Sequence, residues 1–97
     1  MKDVVLRPAA AADVEEAYRW YEERRAGLGE EFLASFETTL NSCLANPNLY
    51  PVLHRDTRRA LLKRFPYGLY YRVQGERLIV VACFHAKRDP ATLRRRG

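Results

Sequence analysis

A chain of 97 residues, 47% apolar and carrying six Tyr, four Phe and one Trp, holds one domain whose modest core needs neither disulfide nor metal. That composition excludes a disordered basic tail, and the longest apolar run, Leu78 to Phe84, is far too short to cross a bilayer. The formal net charge of +5 points to a polyanionic partner: nucleic acid, a protein that handles it, or an acidic peptide.

Val4, Val5 and Leu6 form a short apolar run closed by Pro8, which predicts a first strand at a sheet edge. Pro8 also suits the first turn of a following helix, where a missing N–H costs little. Along that helix Ala10, Val14, Ala17, Tyr18 and Tyr21 recur at three- and four-residue spacing and share a face. Asp13, Glu15 and Glu16 lie toward its start and Arg24 and Arg25 at its end, as the helix dipole favours. Gly27 and Gly29 then break the chain. A second helix is expected from about Leu28 to Asn46. Phe32, Leu33, Phe36, Leu40, Cys43 and Leu44 fall in a stripe about 120° wide, with Glu30, Glu37 and Asn41 outside it. Asn46-Pro47 ends it, because the residue before proline is pushed out of the α region. The short glycine-containing break makes the pair an antiparallel helical hairpin.

After the loop between Pro47 and Pro51 the period changes to two. One strand is predicted from Arg59 to Phe65, ended by Phe65-Pro66, and another from Gly68 to Val73. In the latter, Leu69, Tyr71 and Val73 take one face, Tyr70 and Arg72 the other. Gln74-Gly75-Glu76 is a compact hairpin turn. Leu78 to His85 is almost wholly apolar, as for a central strand covered on both faces. Asp89-Pro90 reads as an N-cap and first-position proline opening a short basic helix or tail. The expected fold is α+β, a single domain over residues 1–97: a helical hairpin on one face of a small antiparallel-dominated sheet, in the order β-α-α-β-β-β.

Charge divides where the period changes. Residues 1–50 carry five Lys/Arg against nine Asp/Glu, a net of −4; residues 51–97 carry twelve against three (Asp56, Glu76 and Asp89), a net of +9. Arg58, Arg59, Lys63, Arg64, Arg72, Arg77 and Arg88 can pair with phosphates or carboxylates, the arginines in bidentate fashion. Alternatively they form a solvated face with edge-blocking charge. Tyr67, Tyr70 and Tyr71 beside them can stack on bases or belong to the core. Trp20 lies about 120° off the apolar face of the first helix, where it is a partner anchor or packs under the C-terminal tail.

His85 ends the most apolar strand, just before Lys87-Arg88-Asp89. Histidine suits general acid–base work near neutral pH, but a lone imidazole equally anchors a strand end through a carbonyl or Asp89. Cys43 and Cys83 sit in apolar periodic segments without CxxC or ligand-spaced His, so they read as small hydrophobes. There is no phosphate-binding glycine loop, HExxH, GxSxG or zinc-ligand set, and no metal or cofactor is expected. The start MKDVVLRPAA has no signal-peptide apolar region, so a reducing cytoplasm is the expected compartment.

Three pieces together carry a family resemblance over nearly the whole chain: AAAADVEEAYRWYEERRAGLGEEF (Ala9 to Phe32), the ANPNLYP loop (Ala45 to Pro51), and RRALLKRFPYGLYYRV followed by VVACFHAKRDP. In order, spacing and ending the chain resembles the RelE/ParE superfamily, the toxins of bacterial toxin–antitoxin pairs. RelE-like and YoeB-like members are ribosome-dependent mRNA endonucleases with an arginine before the L-x-Y pattern and an aromatic after the histidine. Here those positions are Gly68 and Ala86. The pattern is closer to ParE-like toxins, which act on DNA gyrase, serve in plasmid stabilisation and inhibit growth. The resemblance implies an acidic-amphipathic antitoxin forming a toxin–antitoxin hetero-oligomer. It implies target contacts at Arg59, Lys63, Arg64, Arg72 and Arg88, and antitoxin contacts at Trp20, Tyr70, Arg64 and Arg72. As alternatives, the ribosome with its mRNA is the target, cleaved without metal through His85, Arg64 and Arg72, or the chain is a plain basic nucleic-acid-binding domain.

Overall fold

Two periodicities become two layers. The computed structural model describes residues 3–89 and 91–96, within which the chain forms β1 (Asp3–Leu6), α1 (Pro8–Arg24), α2 (Leu28–Ala45), β2 (Val52–His54), β3 (Thr57–Leu61), β4 (Tyr67–Gln74), β5 (Arg77–His85) and α3 (Ala91–Arg95). These strands make one sheet in the order β1-β5-β4-β3-β2. β1 runs parallel to β5, and every other pairing is antiparallel. The helical hairpin covers one face, as expected. No helix among the described residues is long and apolar enough to cross a membrane.

Both helical stripes face the sheet. Ala10 and Ala17 from α1 and Phe32, Phe36 and Cys43 from α2 are buried against Ala60, Leu69, Tyr71, Leu78, Val80 and Cys83. Exposed Glu30, Glu37 and Asn41 confirm the register of α2. The hairpin bend rests on Gly27, whose φ of 91° favours glycine. Glu22, near the end of α1, accepts the Gly27 N–H at 3.0 Å and the Gly29 N–H at 2.9 Å, so it satisfies two donors that a helix start leaves open. At Gly29 a β-carbon would sit 2.8 Å from the Tyr18 carbonyl oxygen and 2.9 Å from the Glu22 carboxylate. Gly29→Ala is therefore expected to destabilise the protein by about 1–3 kcal/mol through overpacking, outweighing the roughly 1 kcal/mol gained from helix propensity. Urea denaturation checks this, and a neutral or stabilised variant contradicts the close crossing.

β5 is the central strand, and its seven residues Leu78 to Phe84 are all buried. Its alternation slips once. Tyr70 pairs with Ala82 but Tyr71 pairs with Val80, so Val81 is the extra residue of a bulge. Consequently Leu78, Val80 and Cys83 face the helices, while Ile79, Val81, Ala82 and Phe84 face the opposite side with Tyr70 and Leu93. α3 lies over that second face through Leu93. Asp89 accepts the Ala91 N–H at 2.9 Å and so caps the short helix as expected; the proline expected at its first position, Pro90, lies outside the described residues.

Two expectations need correction. The strand predicted over Arg59 to Phe65 spans Thr57–Leu61. Beyond it the chain turns, with Arg64 at φ 72° and the Leu62 N–H closing onto the Tyr67 carbonyl at 2.9 Å. Phe65 is buried from within this turn, so its apolar character reflects packing rather than strand. β2, a strand that the sequence pattern does not predict, follows Pro51 and pairs with β3 through an irregular register.

Candidate functional site

The residues singled out in the sequence disperse over three places. His85 ends β5 opposite Tyr67, with ring centroids 5.8 Å apart. It is exposed, and its Nδ1 accepts the Lys87 N–H at 3.1 Å, which ties the imidazole to the turn that follows the strand. The bond goes to a backbone N–H, not to the carbonyl or Asp89 expected of an anchor. A shallow cleft of about 100 Å³ surrounds it, lined also by Glu16, Tyr67 and Arg88. The Arg88 guanidinium lies 5.1 Å from the Phe84 ring centroid. Burial raises the Tyr67 phenol above its ordinary value. Glu16 and Tyr67 were not legible as neighbours of His85, because they come from a helix and from another strand's start.

Arg59 and Arg72 occupy the second place, the sheet face away from the helical hairpin. Arg59 pairs directly with Tyr70, and Arg72 lies two residues further along the same strand. Tyr70 itself is 2% exposed, its ring tilted against Phe84 with the centroids 4.6 Å apart. Its phenol is raised by burial, with the neighbouring Arg59 guanidinium pulling the other way. Of the expected antitoxin contacts, Tyr70 therefore presents no free surface in this chain: its ring is the floor of the second core. Arg72 pairs with Ile79, five residues along β4 from the Tyr67–His85 pair, a separation of about 16 Å along the strand. Arg72 and His85 are thus at opposite ends of the strand pair and do not converge on one reacting bond.

Lys63 and Arg64 form the third place, the turn between β3 and β4. Arg64 donates to Glu31 on α2 at 2.7 Å, and Glu31 also accepts from Arg25 at 2.9 Å. Those two guanidinium groups hold the Glu31 carboxyl below its ordinary value. With Ala34, Ser35, Thr38, Tyr50 and Leu61, this turn lines a groove of about 300 Å³. Arg58 is a structural cation, donating to the Tyr50 carbonyl at 2.6 Å and to the Asn48 carbonyl at 3.2 Å. Trp20 is exposed, as its helical position predicted. It carries the Arg24 guanidinium 3.9 Å above its ring.

Burial pushes the Cys43 thiol up to about 11 and Cys83 up to about 12, so neither supplies a thiolate near neutral pH. Among the described residues no cluster of His, Cys, Asp or Glu could hold a metal ion.

One polar site escaped the sequence reading. Asp13 faces inward between Ala10 and Ala17 and takes the Cys83 N–H at 3.0 Å. Its carboxylate also pairs in bidentate fashion with Arg96, whose Nη2 lies 2.9 Å from Oδ1. The same guanidinium donates to the Val81 carbonyl at 3.3 Å. The pair therefore serves the backbone at the β5 bulge residue Val81 and just beyond it at Cys83, and fastens the C-terminal turn to α1. The three-residue step from Ala10 and the four-residue step to Ala17 place Asp13 on the apolar face, which was the available signal.

The chain matches the family described as ParE toxin of type II toxin-antitoxin system, parDE, over residues 4–90. Among solved structures, it is similar to a chain from the chromosomal ParDE TA system of P. aeruginosa, with a TM-score of 0.66 and 19% identity. The alignment covers 88% of this chain and 96% of that one, a likeness of fold. No curated protein matches this sequence.

Proposed function

Because the chain belongs to the family of ParE toxins of type II toxin–antitoxin systems, we propose that it arrests growth as a non-enzymatic poison of DNA gyrase and is neutralised by a cognate antitoxin. The observation that carries the target assignment is the dispersal of His85, Arg64 and Arg72. RNA cleavage without metal requires a base, an acid and a phosphate-binding cation around one phosphodiester, and these three residues occupy three separate places. What remains is cationic surface: Arg59 and Arg72 on the sheet face away from the hairpin, and the exposed Arg94 and Arg95 of α3, which packs over that face through Leu93. Such a face suits an anionic protein–DNA complex.

The cleft at His85 favours a second reading, ribosome-dependent mRNA cleavage, because Glu16, Tyr67 and Arg88 supply titratable and cationic groups beside the imidazole. Its volume of about 100 Å³ falls below the roughly 300–1,000 Å³ of small-ligand sites, and the Glu16 carboxylate repels an approaching phosphate. The poison reading therefore stands first. His85→Ala is expected to leave gyrase inhibition within about twofold of wild type, since the imidazole is there an element of the strand end. Arg59→Gln with Arg72→Gln should weaken inhibition at least about tenfold, as one charge-assisted hydrogen bond is worth roughly 1.5–3 kcal/mol. Dose–response curves of supercoiling inhibition by refolding-competent variants decide this. The reverse ranking, with His85 essential and the arginine pair neutral, contradicts the reading.

A further inference from the structure

A hollow of about 430 Å³ opens where the start of α1 meets the C-terminal turn, a volume within the roughly 300–1,000 Å³ of small-ligand sites. Arg7, Pro8 and Ala9 line it from the start of α1, and Thr92, Arg95 and Arg96 from α3 and its end. The three arginines are not equivalent. Arg96 is engaged by Asp13, its Nη2 lying 2.9 Å from Oδ1, and by the Val81 carbonyl at 3.3 Å. Arg7 donates to the Arg96 carbonyl at 3.3 Å, one bond from a group with five N–H donors. That bond ties the two walls of the hollow together. Arg95 is exposed. Among the described residues neither Arg7 nor Arg95 is in an ion pair. No acid lines the hollow, and the first turn of α1 contains none.

Two uncompensated guanidinium groups and a hydroxyl around one hollow select an oxyanion. The lining separates a phosphate from an acidic protein. None of the exposed large apolar side chains of the described chain borders the hollow, so a protein partner finds no anchor there. A nucleic-acid backbone needs none, because its contacts go to phosphate and sugar oxygens. Arg94, one residue before Arg95, is exposed as well, and offers a further cation to a strand that continues past the hollow. We propose that this hollow holds a backbone phosphate of DNA, with Arg7 and Arg95 paired to its non-bridging oxygens and the Thr92 hydroxyl donating to it. The choice of DNA as the source of the phosphate rests on the gyrase reading; the site itself rests on the hollow and its cations.

The test adds the full chain to a short labelled DNA duplex of mixed sequence and follows fluorescence anisotropy between about 50 and 200 mM salt. Arg7→Gln with Arg95→Gln is expected to bind at least about tenfold more weakly, and its plot of log K against log salt should be shallower by about one, the share of one neutralised phosphate. Arg19→Gln with Arg24→Gln removes two exposed charges from α1 and should stay within about twofold, since salt screens charges away from the contact. Arg7 also holds the Arg96 carbonyl, so Arg95→Gln alone is the variant that leaves the fold untouched; it should still lose at least about threefold. Arg7→Lys with Arg95→Lys keeps the charge and should regain most of the binding. Equal affinity and salt slope for Arg95→Gln and wild type overturns the site, as does an equal loss in the two double Gln variants or a wild-type chain that does not bind the duplex. Supercoiling inhibition by the same wild-type chain then leaves the gyrase reading standing. Polyglutamate bound through Arg7 and Arg95, with duplex binding indifferent to them, assigns the hollow to an acidic protein and overturns the proposal. Arginine-dependent duplex binding by a chain that leaves supercoiling unaffected upholds the phosphate site and overturns the gyrase reading instead.

Discussion

Asp13→Ala is expected to destabilise the protein by about 3–5 kcal/mol, the range for breaking a buried ion pair by removing one partner. The Asp13 side chain is 8% exposed and the Arg96 side chain 19%, so deletion leaves a guanidinium with little access to water. It also removes the acceptor of the Cys83 N–H at the bulge, and a buried donor without a partner costs roughly 1–3 kcal/mol by itself. Domains of this size have only about 5–15 kcal/mol in total, so the variant should be largely unfolded or aggregated near 37 °C. Arg96→Met in the Asp13→Ala background should cost less than the sum of the two single changes, because it withdraws the stranded charge. Urea denaturation with m-values gives each corner of this cycle. A single-variant loss below about 1 kcal/mol would mean that the pair is a surface contact.

The helical register carries the second large effect. Phe36 is 6% exposed and packs between α2 and the sheet, so Phe36→Ala should cost about 3–5 kcal/mol from lost transfer energy plus the cavity left behind. Glu37, one residue on, is exposed, and Glu37→Ala should stay within about 0.5 kcal/mol. Equal losses at the two positions, read from the same denaturation curves, would show that the stripe does not face the sheet.

The elements legible in the sequence are those whose side chains repeat with a period. The α2 stripe from Phe32 to Leu44 and the continuous run of β5 each bury a whole face, and burial is what writes periodicity into a sequence. β2 was not legible because its exposed Val52 and Leu53 contribute no core face, leaving three residues without an alternation to detect. The end of β3 was misplaced because Phe65 is packed by a turn. At the candidate site, the exposure of Trp20 was readable from its angle on a helix, whereas the burial of Tyr70 was not: it depends on α3 bringing Leu93 over the outer sheet face. The neighbours of His85 depend on tertiary approach of α1 to the ends of β4 and β5. No local pattern encodes such an approach, since each contributing segment satisfies its own period regardless of what lies across the cleft.

One measurement bears most directly on the central claim that this toxin acts on gyrase without cutting RNA. Purified chain is added in parallel to a gyrase supercoiling reaction and to a translating extract whose mRNA ends are mapped. The expected result is inhibited supercoiling, with accumulation of cleaved DNA, and mRNA that remains intact at the same toxin concentration. Codon-spaced mRNA cuts that disappear in a folded His85→Ala variant, with supercoiling unaffected, would contradict the account and transfer the function to the cleft of His85, Glu16, Tyr67 and Arg88.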